Sequence, residues 1–183
     1  KLVGDNTDNY VQGYFQYDSK KSGGVTISHL RFAKKPVKST YYVEKASLVV
    51  CTKDSYLNKL HMLDKIQEKG IFVVNSSKKP DDLLLSMTIH DKKIIQSRNI
   101  KMYVVDADKI AKECGIPGKI SAIMEALIFK LGKIIDLDFA IGKIKENLAV
   151  SSTRSRRNDA SCYFLSKHIT DKSISSSLDN NYI

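Results

Sequence analysis

Three short apolar runs constrain this chain more than any other feature: residues 46–52 (ASLVVCT), 71–74 (IFVV) and 100–105 (IKMYVV). A run of this length, bounded by polar residues and rich in β-branched side chains, reads as a strand buried on both faces. The segments between them carry helical spacing. Residues 55–68 place Leu57, Leu60, Met62, Leu63 and Ile66 on one stripe, with Asp54 or Ser55 as cap and Gly70 as terminator, which predicts a helix. Residues 81–98 form a weaker helical region after Pro80, with Asp81 and Asp82 in its first turn. Asp106 or Asp108 caps a helix over 109–113, closed by Gly115-Ile116-Pro117-Gly118. A further helix over 121–131 turns Ile123, Leu127, Ile128 and Leu131 inward, and Phe139, Ile141, Ile144 and Leu148 define the last one. Strands alternating with helices in this way require a parallel α/β sheet with crossover connections.

Ahead of these runs lies YFQYDSKKSGGVTISHL, residues 14–30, whose two halves suit a pleated, half-buried surface. Between them stand Asp18, Ser19, Lys20, Lys21, Ser22, Gly23 and Gly24. Two adjacent glycines permit positive φ, so the backbone can curl with several N–H groups pointing one way. With two lysines and two serines alongside, such a curl suits a phosphate or pyrophosphate. The same residues also make an ordinary solvated hairpin turn. The loop is neither GxxxxGK[ST] nor GxGxxG, so spacing alone leaves both readings open. Asn75, followed by Ser76 and Ser77, sits just past the carboxyl end of the second apolar run, the edge where open α/β sheets bind ligands. A plain βα turn favours these residues equally.

No catalytic set emerges. His29, His61, His90 and His168 share no metal-ligand spacing, and there is no GxSxG or SxxK. His61 lies beside the stripe of the 55–68 helix and reads as a surface histidine, with no second His, Cys or acid placed to help it. His29 shares a strand face with Ile27 and Arg31 and reads as a structural histidine bonded to a neighbour. Cys51, Cys114 and Cys162 stand far apart, so neither a zinc site nor an iron–sulfur cluster is built from this chain alone. A sparse, odd count fits a reducing compartment, cytoplasmic or an organelle matrix. The net charge of +10 favours anions. Nucleic acid is the default partner for such a chain, but the lysines are dispersed and no RNP, zinc-finger or helix-turn-helix pattern accompanies them. No window reaches the ~18 apolar residues that a membrane span needs.

The run GDNTDNYVQGYFQYDSKKSGGVTISHLRF, residues 4–32, resembles the central gamma-type domain of pyruvate:ferredoxin (flavodoxin) oxidoreductase, which also occurs in pyruvate:NADP oxidoreductases of some protists. The likeness continues through residues 38–51, 70–76, 101–113 and 124–135, and so covers roughly residues 1–148. It implies a Rossmann-like, mostly parallel α/β sheet flanked by helices and shortened at its N-terminus, where the family carries a first strand and a glycine-rich turn. It implies oxidative decarboxylation of pyruvate to acetyl-coenzyme A, with electrons passing to ferredoxin, flavodoxin or an NADP reductase module. Thiamine diphosphate and the iron–sulfur clusters then belong to other domains of a homodimeric enzyme, and this piece binds coenzyme A through Ser19, Lys20, Lys21, Ser22, Gly23, Gly24 and Asn75. One departure stands out: Gly118-Lys119-Ile120-Ser121 replaces the family's Asn-Arg-Thr-Asn.

From residue 150 the chain turns rich in serine and arginine with little apolar period, which predicts a flexible tail or linker over 150–183 after a domain over 1–149. Two other functions compete with coenzyme A binding: a docking domain without ligand, and a basic anion or nucleic-acid binder.

Overall fold

The computed structural model describes residues 2–18, 24–151 and 175–176, and the chain divides into two compact units, residues 1–45 and 46–183. The first holds a short helix α1 (Leu2–Asn6) and an antiparallel hairpin of β1 (Tyr10–Tyr17) and β2 (Thr26–Ala33). Its register runs from Tyr10 opposite Ala33 to Tyr17 opposite Thr26, and Asp18 N–H donates to the Val25 carbonyl at 3.1 Å. Alternation places Gln12 and Tyr14 on one face with their partners Arg31 and His29. That face receives residues 39–43. Gln12 Nε2 donates to the Ser39 carbonyl, Val43 N–H donates to His29 Nδ1 at 3.2 Å, and Tyr42 packs on both Tyr14 (5.1 Å between centroids) and His29 (4.8 Å). Arg31 lies 5.2 Å over the Tyr41 ring and donates to Gln12 Oε1 at 2.9 Å. His29 is thus the neighbour-bonded structural histidine that the sequence suggests.

In the second unit the three apolar runs form β3 (Ala46–Cys51), β4 (Ile66–Asn75) and β5 (Lys101–Val105), all parallel, in the order β3-β4-β5. The two-residue strand β6 (Ser175–Ser176) adds antiparallel to β5. Central β4 is apolar on both sides, as a covered parallel strand must be: Phe72, Val73 and Val74 are fully buried. Phe72 and Val74 join a cluster with Leu83, Ile95 and Met102 beneath α2 (Pro80–Ser86) and α3 (Ile89–Ser97). Helices α4 (Ala107–Glu113), α5 (Ile120–Gly132) and α6 (Leu137–Ser151) complete the unit; α5 packs on β3, α4 and α6. Each large side chain buried here contributes about 1.5–3 kcal/mol.

The helix expected over 55–68 does not form. After β3 the chain makes one 3-10 turn (Asp54–Tyr56), then turns, and β4 begins at Ile66. Leu57, Leu63 and Ile66 still point inward, so their spacing reflects burial and not helical period. Ala46 N–H donates to the Lys65 carbonyl at 2.7 Å, and the ladder then jumps from Ile66 to Ile71 along β4 while moving only from Ala46 to Leu48 along β3. This irregularity carries Lys69 at φ 56° and buried Gly70, so Gly70 is a bulge residue inside β4 and not a helix terminator. A Cβ at Gly70 would meet Ile66 Cγ1 at 2.6 Å and the Gln67 carbonyl oxygen at 2.9 Å, which explains the glycine.

The region 81–98 divides at Met87-Thr88. Thr88 Oγ1 accepts from Asp91 N–H at 3.1 Å and donates to Asp91 Oδ2 at 2.7 Å, a reciprocal cap that starts α3 afresh. Asp106, one of two candidates in the sequence, caps α4 by accepting from Lys109 N–H at 2.9 Å. Residues 152–174 and 177–183, most of the expected tail, lie outside the described residues.

Candidate functional site

The carboxyl ends of the three parallel strands open into a cavity of about 550 Å³. Its walls are the turns that leave those strands: Thr52 to Ser55 after β3, Asn75 to Ser77 after β4, and Asp106 with the first turns of α4 after β5. Asn75 fastens them together. Its Nδ2 donates to the Thr52 carbonyl at 3.1 Å, and its Oδ1 accepts from the Ala107 N–H at 2.9 Å. One buried amide therefore bridges the ends of β3, β4 and β5. Ser76 continues the seam: its N–H donates to the Val105 carbonyl at 2.9 Å, and its hydroxyl donates to Asp54 Oδ2 at 2.8 Å and accepts from Lys78 N–H at 3.2 Å.

Charge at the crevice is mixed but unequally available. Asp54 is held by Ser76 and, at 3.5 Å, by Lys78 Nζ, and Asp106 is occupied as a helix cap, while Asp108 is an exposed carboxylate of the lining. Lys53, Lys109 and Lys112 line the opening with exposed side chains. This arrangement offers cations and turn hydroxyls to an anionic ligand at the edge where parallel α/β sheets bind nucleotides. Cys51, at the end of β3, is no nucleophile for the site. It is 2% exposed, burial pushes its thiol above the ordinary range, and the nearby Asp54 carboxylate adds to the effect.

Of the residues singled out in the sequence, Asn75 lines this cavity, in the second unit. Gly24 lies in the first unit, half-buried where the chain re-enters β2. Ser19, Lys20, Lys21, Ser22 and Gly23 lie outside the described residues. Lys53, Lys109 and Lys112 were not singled out; the signal that would have found them is position, since each lies within the first turns after an apolar run. The expectation that His61 has no helper is corrected as well. Without the 55–68 helix, the turn before β4 carries His61 and Asp64 beside His90 of α3, and the three donor atoms lie within 4.8 Å of one another.

The second unit is thus a parallel α/β sheet flanked by helices, with a polar crevice at the carboxyl ends of its strands. More specifically, the chain belongs to the pyruvate ferredoxin/flavodoxin oxidoreductase family, which it matches over residues 2–154. It is 43% identical over 148 residues to the pyruvate:ferredoxin oxidoreductase of Moorella thermoacetica, covering 81% of this chain and 13% of that protein. Against the pyruvate-flavodoxin oxidoreductase of Enterobacter agglomerans, identity is 41% over 148 residues, or 81% of the chain and 13% of the relative. The pyruvate dehydrogenase [NADP(+)] of Cryptosporidium parvum is 40% identical over 161 residues, 87% of the chain and 8% of that protein. The chain thus spans no more than about an eighth of the length of these relatives. Among solved structures, a pyruvate oxidoreductase subunit from Thermotoga maritima superposes with a TM-score of 0.63 at 18% identity, covering 91% of this chain and 81% of that one. At that identity the likeness concerns the fold, and it agrees with the Rossmann-like α/β expectation. Among the described residues no helix is long and apolar enough to cross a membrane.

Proposed function

We propose that this chain is the coenzyme A-binding domain of a pyruvate:acceptor oxidoreductase. In that enzyme pyruvate loses carbon dioxide, two electrons pass to ferredoxin, flavodoxin or an NADP reductase module, and the acetyl group is transferred to the coenzyme A thiol. The family match over residues 2–154 carries the reading, and the lysine-rimmed crevice supports it. Coenzyme A presents a pyrophosphate and a 3′-phosphate. Lys20 and Lys21 supply charge, and Gly23 and Gly24 let phosphate oxygens reach the backbone. Each shielded, charge-assisted hydrogen bond contributes about 1.5–3 kcal/mol, and much less in open water. Asn75 shapes the crevice wall through its bonds to Thr52 and Ala107, and the second N–H and second lone pair of its amide serve as a coenzyme A contact.

Thiamine diphosphate and iron–sulfur clusters, which the family implies, belong to other domains of a homodimeric enzyme in a reducing cytoplasmic or organelle compartment. The chain's own donors agree with that division. Cys51 and Cys114 are each buried on a separate element, and three cysteines fall short of a four-thiolate cluster. Calorimetric titration of the chain with coenzyme A and with its 3′-dephospho form tests the proposal. Micromolar binding, weakened by Lys20→Ala with Lys21→Ala, is the expected result; affinity unchanged in that double variant removes the loop from the site.

A second reading, a docking domain that contributes interface and no ligand contact, draws on the hairpin. Tyr10, Tyr14, Phe15 and Tyr17 are all exposed there, Tyr17 by 71%. Tyr10 and Tyr14 lie on one face of the strand and Phe15 and Tyr17, stacked with centroids 6.4 Å apart, on the other, and exposed apolar side chains so grouped mark contact surface. Association with the thiamine-binding domains without any coenzyme A affinity is the outcome that favours it.

A further inference from the structure

His61, Asp64 and His90 form the one cluster of metal-ligating side chains that the described residues bring together. We infer that they constitute a surface site for a divalent first-row cation, zinc above all, separate from the strand-end crevice. Two imidazoles and one carboxylate are the donor set of an open zinc site, which leaves a coordination position for water. Imidazole-rich sites favour zinc, copper and nickel over magnesium and calcium.

The geometry is close to what a cation needs. His90 Nε2 and Asp64 Oδ1 lie 2.7 Å apart, and the His61 and His90 rings meet edge to face with centroids 5.8 Å apart. At the usual zinc–nitrogen and zinc–oxygen lengths, donors around a tetrahedral ion stand about 3.3 Å from each other. The close pair therefore opens by roughly half an ångström, and the widest separation in the cluster, at most 4.8 Å, contracts. All three side chains are exposed, so small rotations suffice and nothing buried moves.

The backbone beneath them is held in place. Arg98, at the end of α3, donates from Nη1 to the carbonyls of Leu63 (3.2 Å), Asp64 (2.8 Å) and Ile66 (2.6 Å), and Lys69 N–H donates to the Arg98 carbonyl at 2.7 Å. Leu63, Ile66, Ile94 and Ile95 are buried under the same junction. The turn bearing His61 and Asp64 is thus stapled to the helix bearing His90, so a bound ion meets a preorganised pair of elements. The Arg98 charge opposes a cation, and the Asp64 carboxylate compensates it.

Cobalt(II), a visible-absorbing stand-in for zinc, tests the site on the 183-residue chain. One equivalent should bind with the absorption of a low-coordinate complex and be displaced by zinc. His61→Gln and His90→Gln should each weaken binding roughly tenfold or more, whereas His168→Gln leaves it unchanged. Asp64→Asn, which keeps a hydrogen-bonding partner for His90, should weaken it too, and circular dichroism confirms that the variants keep their fold. Absence of a cobalt spectrum overturns the inference, as does affinity that survives both histidine substitutions.

Discussion

Asn75 offers the sharpest test of how the strand-end crevice is built. Replacing it with alanine removes the acceptor of the Ala107 N–H and the donor to the Thr52 carbonyl. These losses are unequal. Ala107 is fully buried, so its N–H is left without a partner and without water, which costs about 1–3 kcal/mol. Thr52 is exposed, and water can replace the lost donor at its carbonyl for well under 1 kcal/mol. Asn75→Ala should therefore lower the unfolding free energy by about 2–3 kcal/mol in urea titrations, or the thermal midpoint by about 5–10 °C.

Asn75→Asp separates the two halves of that cost. A carboxylate keeps an acceptor for Ala107 N–H but turns a second oxygen on the Thr52 carbonyl, in a position only 7% exposed. Burial and the facing carbonyl both favour the protonated acid, which can donate to that carbonyl. A raised folded-state pKa means that the native chain binds more protons than the unfolded one. Stability is then retained below the unfolded carboxyl value, near ~3.9, and lost as pH rises through the higher folded one. The deficit of Asn75→Asp relative to the parent should be small near pH 4 and larger at pH 7. A deficit independent of pH, or a cost below about 0.5 kcal/mol for Asn75→Ala, refutes the account of Asn75 as the fastener of the strand ends.

Gly70→Ala should cost about 1–3 kcal/mol or more in denaturant unfolding, because the added methyl meets Ile66 Cγ1 at 2.6 Å and the Gln67 carbonyl oxygen at 2.9 Å. Arg98→Ala should lower stability by about 2 kcal/mol, because it releases three carbonyls of the turn before β4; hydrogen exchange at Leu63 to Ile66 should accelerate more than exchange in β5. Burial raises the Glu125 carboxyl pKa in α5, so its contribution favours the fold at low pH and declines as pH rises through the folded value. Glu125→Gln should consequently stabilise the chain at pH 7 and flatten that part of the pH profile, measured by urea titrations at several pH values.

How much of this was legible follows from where each element finds its partners. The runs at β3, β5 and the end of β4 could be read because apolar, β-branched residues are a local property; the expected burial on both faces holds for the end of β4, whereas β3 is half-buried up to Cys51 because it lies at the end of the strand order. The hairpin of residues 10–33 shows in its strand-forming residues and double glycine for the same reason. Residues 55–68 misled because Leu57, Leu63 and Ile66 recur at helical spacing. What prevents that helix is remote: β3 pairs with the chain from Ile66 onward, and Arg98 takes three of its carbonyls. Nothing within those residues announces an arginine over 30 positions away.

The same division runs through the site. Its place at the strand ends follows from the α/β pattern, so Asn75 lies where the sequence put it. Its chemistry there is another matter, because the partners of its amide, Thr52 and Ala107, come from the two neighbouring strand ends. A residue that closes three strand ends together resembles, in sequence, one that reaches for a ligand, since both need a short amide just past an apolar run. At Asn75 one amide N–H and one lone pair serve the backbone, and each end of the amide keeps a second hydrogen-bonding valence, so the fastening role does not decide the ligand role. The lysines that line the crevice, Lys53, Lys109 and Lys112, are exposed, and their place in the first turns after apolar runs is again a local feature of the sequence.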